Sequence, residues 1–255
     1  MSGCLFVVGL GPGDPALLTG QARAALAAAE AVVGYGAYLE PLAELLVGKT
    51  LLAGALGEEA ARAGQAVDLA LAGKRVALVS GGDAGVYGMA APAFEALERR
   101  QAAGQPIPEV EVVAGVSAAL AAAALLGAPL GADFAVISLS DLLTPWALIE
   151  RRVELAAAAD FVIALYNPAS SRRTWQFGRA RELIAAHRAP STPVGLVQRA
   201  FRPTQRVVLT DLARIGAEAI DMTSIVLVGS SATRRFGDWL VTPRSAGPYG
   251  KLARI

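Results

Sequence analysis

Three glycine turns, each behind a short apolar run, hold the residue types most able to do chemistry in this chain. The first is Gly9-Leu10-Gly11-Pro12-Gly13-Asp14-Pro15, behind Leu5–Val8 and ahead of a helix predicted over Gln21–Ala29. A glycine turn between strand and helix is the arrangement of a ligand-binding turn at the carboxyl edge of a parallel sheet. The spacing departs from the dinucleotide fingerprint G-x-G-x-x-G, because the third glycine comes one residue early. Pro12 removes an N–H donor, and Asp14 puts a carboxylate where a phosphate would lie. The next run, Ala31–Tyr35, ends without an acid to hold a ribose. A cationic or neutral ligand is expected here rather than a phosphate.

The second turn, Ser80-Gly81-Gly82-Asp83-Ala84-Gly85-Val86-Tyr87-Gly88, follows Val76–Val79. Its paired glycines let a ligand approach the backbone closely, and Asp83 supplies either a reactive carboxylate or a helix N-cap. The third turn, Ala114-Gly115-Val116-Ser117-Ala118, follows Val110–Val113, and Ser117 is equally able to cap the next helix. Three such turns on one predicted sheet edge argue for a shared site. A metal site is not expected: one histidine (His187) and one cysteine (Cys4) cannot build a tetrahedral zinc centre. Cys4 reads as a packed strand residue, and His187 as the end of a helix, where it meets the helix dipole.

The elements that must position these residues are those of an α/β chain. The sequence of 255 residues is 54% hydrophobic and 18% charged, enough apolar material for a sizeable core. Short β-branched runs at Leu5–Val8, Ala31–Gly34, Lys49–Leu52, Val76–Val79 and Val110–Val113 alternate with helical stretches at 58–71, 89–100 and 117–126. That alternation predicts a mainly parallel sheet covered on both faces. The breaker-rich stretch 126–132 reads as a linker. A second set of strands follows at 134–138, 161–165, 193–197, 205–209 and 224–228, with helices at 146–158 and 174–187. The short connection between its third and fourth strands predicts an antiparallel pair, hence a mixed sheet. Two α/β domains are expected, residues 1–127 and 128–255, with a cleft between them.

A net charge of +1 gives no general affinity for nucleic acid or membrane surfaces. The charge is unevenly placed: 7 basic and 12 acidic residues through Gly127, against 16 basic and 10 acidic from Ala128 onward. All but one of the latter basic residues are arginine, suited to bidentate grasp of carboxylates. The uncharged stretch 112–132 is interrupted by Gly115, Ser117, Gly127, Pro129 and Gly131, and reads as a buried strand and helix rather than a membrane span. Without a basic leader at the start, a cytoplasmic location is expected.

In order and strand context, Gly9–Asp14, Gly81–Asp83 and Ala114–Ala118 resemble the three signatures of the tetrapyrrole (corrin and porphyrin) methylases. Three further segments are similar to the precorrin-3B C-17 methyltransferase branch of that family: Val32–Tyr35 with Tyr38, Ile137–Trp146, and Leu165–Arg173. The resemblance implies two α/β domains, S-adenosylmethionine as cofactor, a tetrapyrrole substrate and a homodimer. It also implies methylation at position 17 of the macrocycle, coupled to ring contraction in cobalamin synthesis. Another corrin or uroporphyrinogen methylase of C-11 or C-20 type, or a non-catalytic binding module, stays open as an alternative.

By the same resemblance, Pro12, Gly81, Gly82, Asp83, Val86, Ser117 and Ala118 are cofactor contacts, joined by Tyr166 and Ala200 from the second half. Ala200 stands where relatives often have glycine. Asp83, Asp141 and Tyr166, with Tyr35 beside them, are the acid–base candidates for ring contraction. Asn167, Arg172, Arg173, Arg199 and Arg202 are the candidates for the substrate, whose rim carries carboxylates. Arg206, Arg234 and Arg235 are further arginines of the same kind.

Overall fold

The strand β1 (Cys4–Gly9) lies inside a five-stranded parallel sheet, next to an edge strand, in the computed structural model, which describes residues 3–244. Its companions are β2 (Ala31–Tyr35), β3 (Thr50–Gly54), β4 (Arg75–Ser80) and β5 (Glu109–Val113), in the order β3-β2-β4-β1-β5. Side chains alternate between the faces, and both faces are covered. Leu5, Val7, Val76 and Leu78 enter one core with α3 (Glu59–Leu71) and α4 (Ala90–Ala102). Val8, Ala77 and Val79 enter another with α1 (Gly20–Ala28) and Leu39 of α2 (Gly36–Leu39). Burial on both sides is why the central strands read as unbroken apolar runs. The outer strands β3 and β5 expose several residues each, which weakens their sequence signal. A 3-10 helix, Glu40–Leu46, follows α2; neither element was expected from the sequence.

By packing, the chain divides into two units after Ala118. The second contains most of α5 (Ala118–Leu126) and the short strand β6 (Gly127–Ala128). Its main sheet comprises β7 (Phe134–Ser138), β8 (Val162–Tyr166), β9 (Pro193–Gln198), β10 (Arg206–Asp211) and β11 (Ser224–Val228), in the order β10-β9-β11-β8-β7. Only β7 and β8 are parallel neighbours; β8–β11, β11–β9 and β9–β10 run antiparallel, so the sheet is mixed. Helices α6 (Trp146–Ala158) and α7 (Gln176–Ala185) cover one face through Ile149, Val153, Ala180 and Ile184. On the other face Gly195 lies against Leu126 and Leu240, so closely that a Cβ there would meet Leu126 at 2.5 Å.

The stretch expected as a linker is instead part of this unit. Residues of β6 pair with β13 (Trp239–Val241), which forms a hairpin with β12 (Arg234–Phe236). The Thr242 hydroxyl donates to the Pro129 carbonyl at 2.6 Å. These strands are two or three residues long, and β6 pairs with β13 across more than a hundred positions, so no local periodicity announces them. Among the described residues, no helix is long and apolar enough to cross a membrane.

One ion pair with a buried arginine fastens another part of this unit. The Arg188 guanidinium, 4% exposed, meets Asp160, which also accepts from the Ser231 amide and hydroxyl. Burial works against the Asp160 charge, but the Ser231 hydrogen bonds and the Arg188 cation outweigh it and hold the carboxyl below its ordinary value. A carboxyl lowered on folding stabilises above its unfolded pKa, and that stabilisation is lost as pH falls towards the folded value. Asp160 has φ of 61°, which asparagine also tolerates, so Asp160→Asn removes the charge without backbone strain. We expect this variant to lose about 1–2 kcal/mol at pH 7, a figure discounted because Asp160 is partly solvated. Urea denaturation across pH should show the difference from wild type shrinking as pH falls below 4, the usual carboxylate range.

Candidate functional site

Because β4, β1 and β5 are parallel neighbours, their carboxyl ends bring the three glycine turns side by side. The turns are joined by hydrogen bonds of their own. The Gly11 amide donates to the Gly82 carbonyl at 2.9 Å, and the Gly82 amide to the Gly11 carbonyl at 2.7 Å. Leu10 donates to the Ser80 carbonyl at 2.9 Å. Asp83 closes the set: one carboxylate oxygen accepts from the Gly85 amide at 2.8 Å, the other from the Gly115 amide at 2.9 Å. It caps no helix, since α4 begins seven residues later behind Met89. The Thr19 hydroxyl accepts from the Ala22 amide at the start of α1 and donates to the Ala114 carbonyl.

Such contacts need glycine. A Cβ on Gly115 would lie 2.3 Å from the Gly82 carbonyl oxygen, and one on Gly9 would lie 2.8 Å from the Gly115 nitrogen. Gly11 and Gly82 instead need their positive φ, 70° and 69°. A Cβ on Gly82 would meet nothing closer than the Ala118 nitrogen at 3.6 Å, an ordinary van der Waals contact. Gly81 rests against the Tyr38 ring, which packs edge-to-face on Tyr35 at 5.4 Å.

The amide accounting bears on the ligand. Gly11, Gly82, Gly85 and Gly115 all give their N–H groups to partners within the turns, and Pro12 has none. Asp14 spends its carboxylate on the Ala16 amide at 2.8 Å. A phosphate needs free amides, and these four are already engaged. A sulfonium cation with an apolar nucleoside needs no phosphate cradle and gains from a nearby carboxylate, which Asp83 supplies. Val86 and Tyr87 continue the second turn, Tyr87 at φ 53°, while Ser117 and Ala118 complete the third.

In the second unit, one sheet edge collects the remaining candidates. The carboxyl ends of β7, β8 and β9 and the amino ends of β10 and β11 share that edge. Tyr166 ends β8, and its phenolic oxygen accepts from the Ala119 amide at 2.8 Å. Asn167, with φ of 50°, donates its side-chain amide to the Ser138 hydroxyl at 2.9 Å. Asp141 accepts from the buried Gln176 at 2.9 Å; it caps no helix, since α6 starts behind Pro145. Ala200 lies half-buried in the turn after β9, between Arg199 and Phe201, both at positive φ.

Most of the candidate arginines at this edge are engaged by the protein itself. Arg173 is 8% exposed; its Nε donates to the Asn167 carbonyl at 2.8 Å, and its other nitrogens reach the Ser140 hydroxyl and Met222 Sδ. Arg199 pairs with Asp221 at 3.1 Å and donates to the Thr204 carbonyl. Burial raises the Asp221 carboxyl, but the Thr223 and Ser224 hydrogen bonds and the Arg199 cation outweigh it and leave its pKa lowered. Arg206 holds Glu218 and Gln198, and the Arg202 amide donates to the Arg199 carbonyl. Arg172 is exposed and has no ion pair among the described residues. Arg234 and Arg235 belong to the separate β12–β13 hairpin. Sequence reading missed Thr19, Ser138, Ser140 and Gln176, whose partners lie far along the chain.

The chain belongs to the tetrapyrrole (corrin/porphyrin) methylase family, whose model it matches over residues 4–216. It is 44% identical to a probable cobalt-factor III C(17)-methyltransferase of Salmonella typhimurium, over 94% of this chain and 98% of that one. Identity with a precorrin-3B C(17)-methyltransferase of Sinorhizobium is 45%, over 96% and 97%. A cobalt-factor III methyltransferase of Priestia megaterium is also 45% identical, but the chain spans only 45% of that protein. Among solved structures, the methyltransferase CobJ superposes with a TM-score of 0.89 at 42% identity, covering 95% of this chain and 100% of that one. A uroporphyrin-III C-methyltransferase of Thermus thermophilus, complexed with S-adenyl homocysteine, gives 0.66 at 26% identity, covering 89% and 92%.

The two kinds of glycine in the turns should respond differently to substitution. Gly82→Ala makes only ordinary van der Waals contacts and bears the left-handed backbone cost, about 1–2 kcal/mol. Gly115→Ala drives a methyl into the Gly82 carbonyl and should cost more, about 3 kcal/mol or above. Denaturation midpoints of the two variants check the order.

Proposed function

We propose that this chain transfers a methyl group from S-adenosylmethionine to position 17 of precorrin-3B, or of its cobalt-bearing counterpart, coupled to ring contraction in cobalamin synthesis. What carries the reading is the near full-length likeness to the Salmonella and Sinorhizobium C(17)-methyltransferases, together with three turns tied to one another through the Gly11, Gly82, Gly85 and Gly115 amides. S-adenosylmethionine supplies an already activated methyl group. The protein's task is then to align the acceptor carbon and exclude water.

In this reading Pro12, Gly81, Gly82, Val86, Ser117, Ala118, Tyr166 and Ala200 are cofactor contacts. Asp83 positions the turns, because both its oxygens are taken by backbone amides. For ring contraction Tyr166 and Asp141 remain the acid–base pair we favour, each with one oxygen already oriented by a donor. Asn167 and the arginine edge, Arg172 foremost, serve the substrate. The same reading has the enzyme working as a cytoplasmic homodimer.

Incubation with methyl-labelled S-adenosylmethionine and precorrin-3B or cobalt-factor III should place the label on C-17 of a contracted macrocycle. A label on C-11 or C-20 would point to another methylase of the family, and cofactor binding without turnover of any precorrin to a binding module. Asp83→Asn offers one acceptor oxygen where two are needed and sets an NH2 group against a backbone amide. It should weaken S-adenosylmethionine binding about tenfold or more while the protein stays folded. An unchanged calorimetric affinity in the folded variant would remove Asp83 from the site.

A further inference from the structure

The loops that follow β7 and β8 are laced together. Asn167 reaches Ser138, Arg173 reaches Ser140, and Gln176 reaches Asp141. Trp146 and Trp175 stack edge-to-face at 4.9 Å. Between these ties, four side chains turn outward. Leu143, at 93% exposure, is the most exposed large apolar side chain among the described residues, and Leu142 beside it is 75% exposed. Trp175 is half exposed, and Arg172 carries an exposed guanidinium without an ion pair among the described residues. Two adjacent leucines held in water carry a standing hydrophobic cost that covering them would relieve. The segments that carry them are cross-tied by the hydrogen bonds and the ring contact.

We propose that Leu142, Leu143, Trp175 and Arg172 form a platform for the tetrapyrrole, the leucines and the indole against its apolar face and Arg172 against a carboxylate of its rim. This rests on the C-17 methyltransferase reading and adds to it the residues that meet the macrocycle. The chemistry selects the occupant. A flat apolar body with anionic arms matches an apolar strip beside one unengaged cation, and ligands of α/β sheets sit outside the carboxyl ends of parallel strands, where these loops lie. Arg173, Arg199 and Arg206 do not compete for that role, since each is committed to a protein partner. Arg173 is the positioning residue here: its buried guanidinium ties the Asn167 carbonyl to the Ser140 hydroxyl and so sets the two loops against each other.

The test is quenching of tryptophan fluorescence by uroporphyrin III, a stable octacarboxylate tetrapyrrole, with calorimetry of S-adenosylmethionine as control. Leu142→Ser with Leu143→Ser should weaken uroporphyrin binding about tenfold, and Arg172→Ala comparably, with cofactor affinity unchanged. Added salt should weaken uroporphyrin binding to wild type and much less to Arg172→Ala. Leu143→Ser alone, at the most exposed position, serves should the double variant not fold. The proposal is overturned if both leucine variants bind uroporphyrin as wild type does, or if they change only the sedimentation mass, which would make the patch a contact between copies of the chain. Methyl transfer by wild type, measured in parallel, keeps the two readings apart: turnover with unchanged binding in the variants rejects the platform and leaves the function standing.

Discussion

One carboxylate between two backbone amides holds the first unit's candidate site together. Asp83 takes the Gly85 N–H on one oxygen and the Gly115 N–H on the other, so the second and third turns keep a fixed spacing. The first turn joins through the reciprocal pair between Gly11 and Gly82. This closeness is possible only because no Cβ stands at Gly9 or Gly115. A charged acceptor is worth more than a neutral one here, since each bond to it carries part of a full charge. The turns are therefore built before any ligand arrives. The Gly11, Gly82, Gly85 and Gly115 amides are consumed in the building, and so are the Gly11 and Gly82 carbonyls.

Strand order makes the clasp geometrically available. The turns come from β1, β4 and β5, which are far apart in the chain but contiguous in the sheet. Had β2 stood between β4 and β1, the Gly11–Gly82 pair would have been out of reach, because neighbouring strands lie about 5 Å apart and a gap doubles that. The buried alternation of Leu5 and Val7 on one face and Val8 on the other locks the register on which the turn contacts depend.

Much of this was legible in the residues. Doubly buried strands read as apolar runs because every side chain in them meets a core, and the glycine turns read as a site because glycine is required at each close approach. The family signatures were legible for the same reason. The strand order was not, since nothing local in the sequence encodes which parallel strands are neighbours. The strands β6, β12 and β13 escaped because two or three residues carry no period, and the 126–132 stretch, rich in glycine and proline, read as a linker when it is tied in by Thr242. The Gly36–Leu46 helical turns were hidden by their shortness.

The arginines show where composition misleads. Fifteen arginines in the second half suggested a rim of cations awaiting carboxylates, but the charge count does not say which cations have partners. Arg173 finds Met222 and Ser140, Arg199 finds Asp221, Arg206 finds Glu218, and Arg188 finds Asp160, each at least eight positions away and most more than twenty. A planar guanidinium with five donors suits this work, because it can tie several loops from one buried point. At this sheet edge arginine therefore serves first as a fastener. A cation left out of that scheme on an exposed loop, as Arg172 is, carries more functional meaning than the net charge of the whole half.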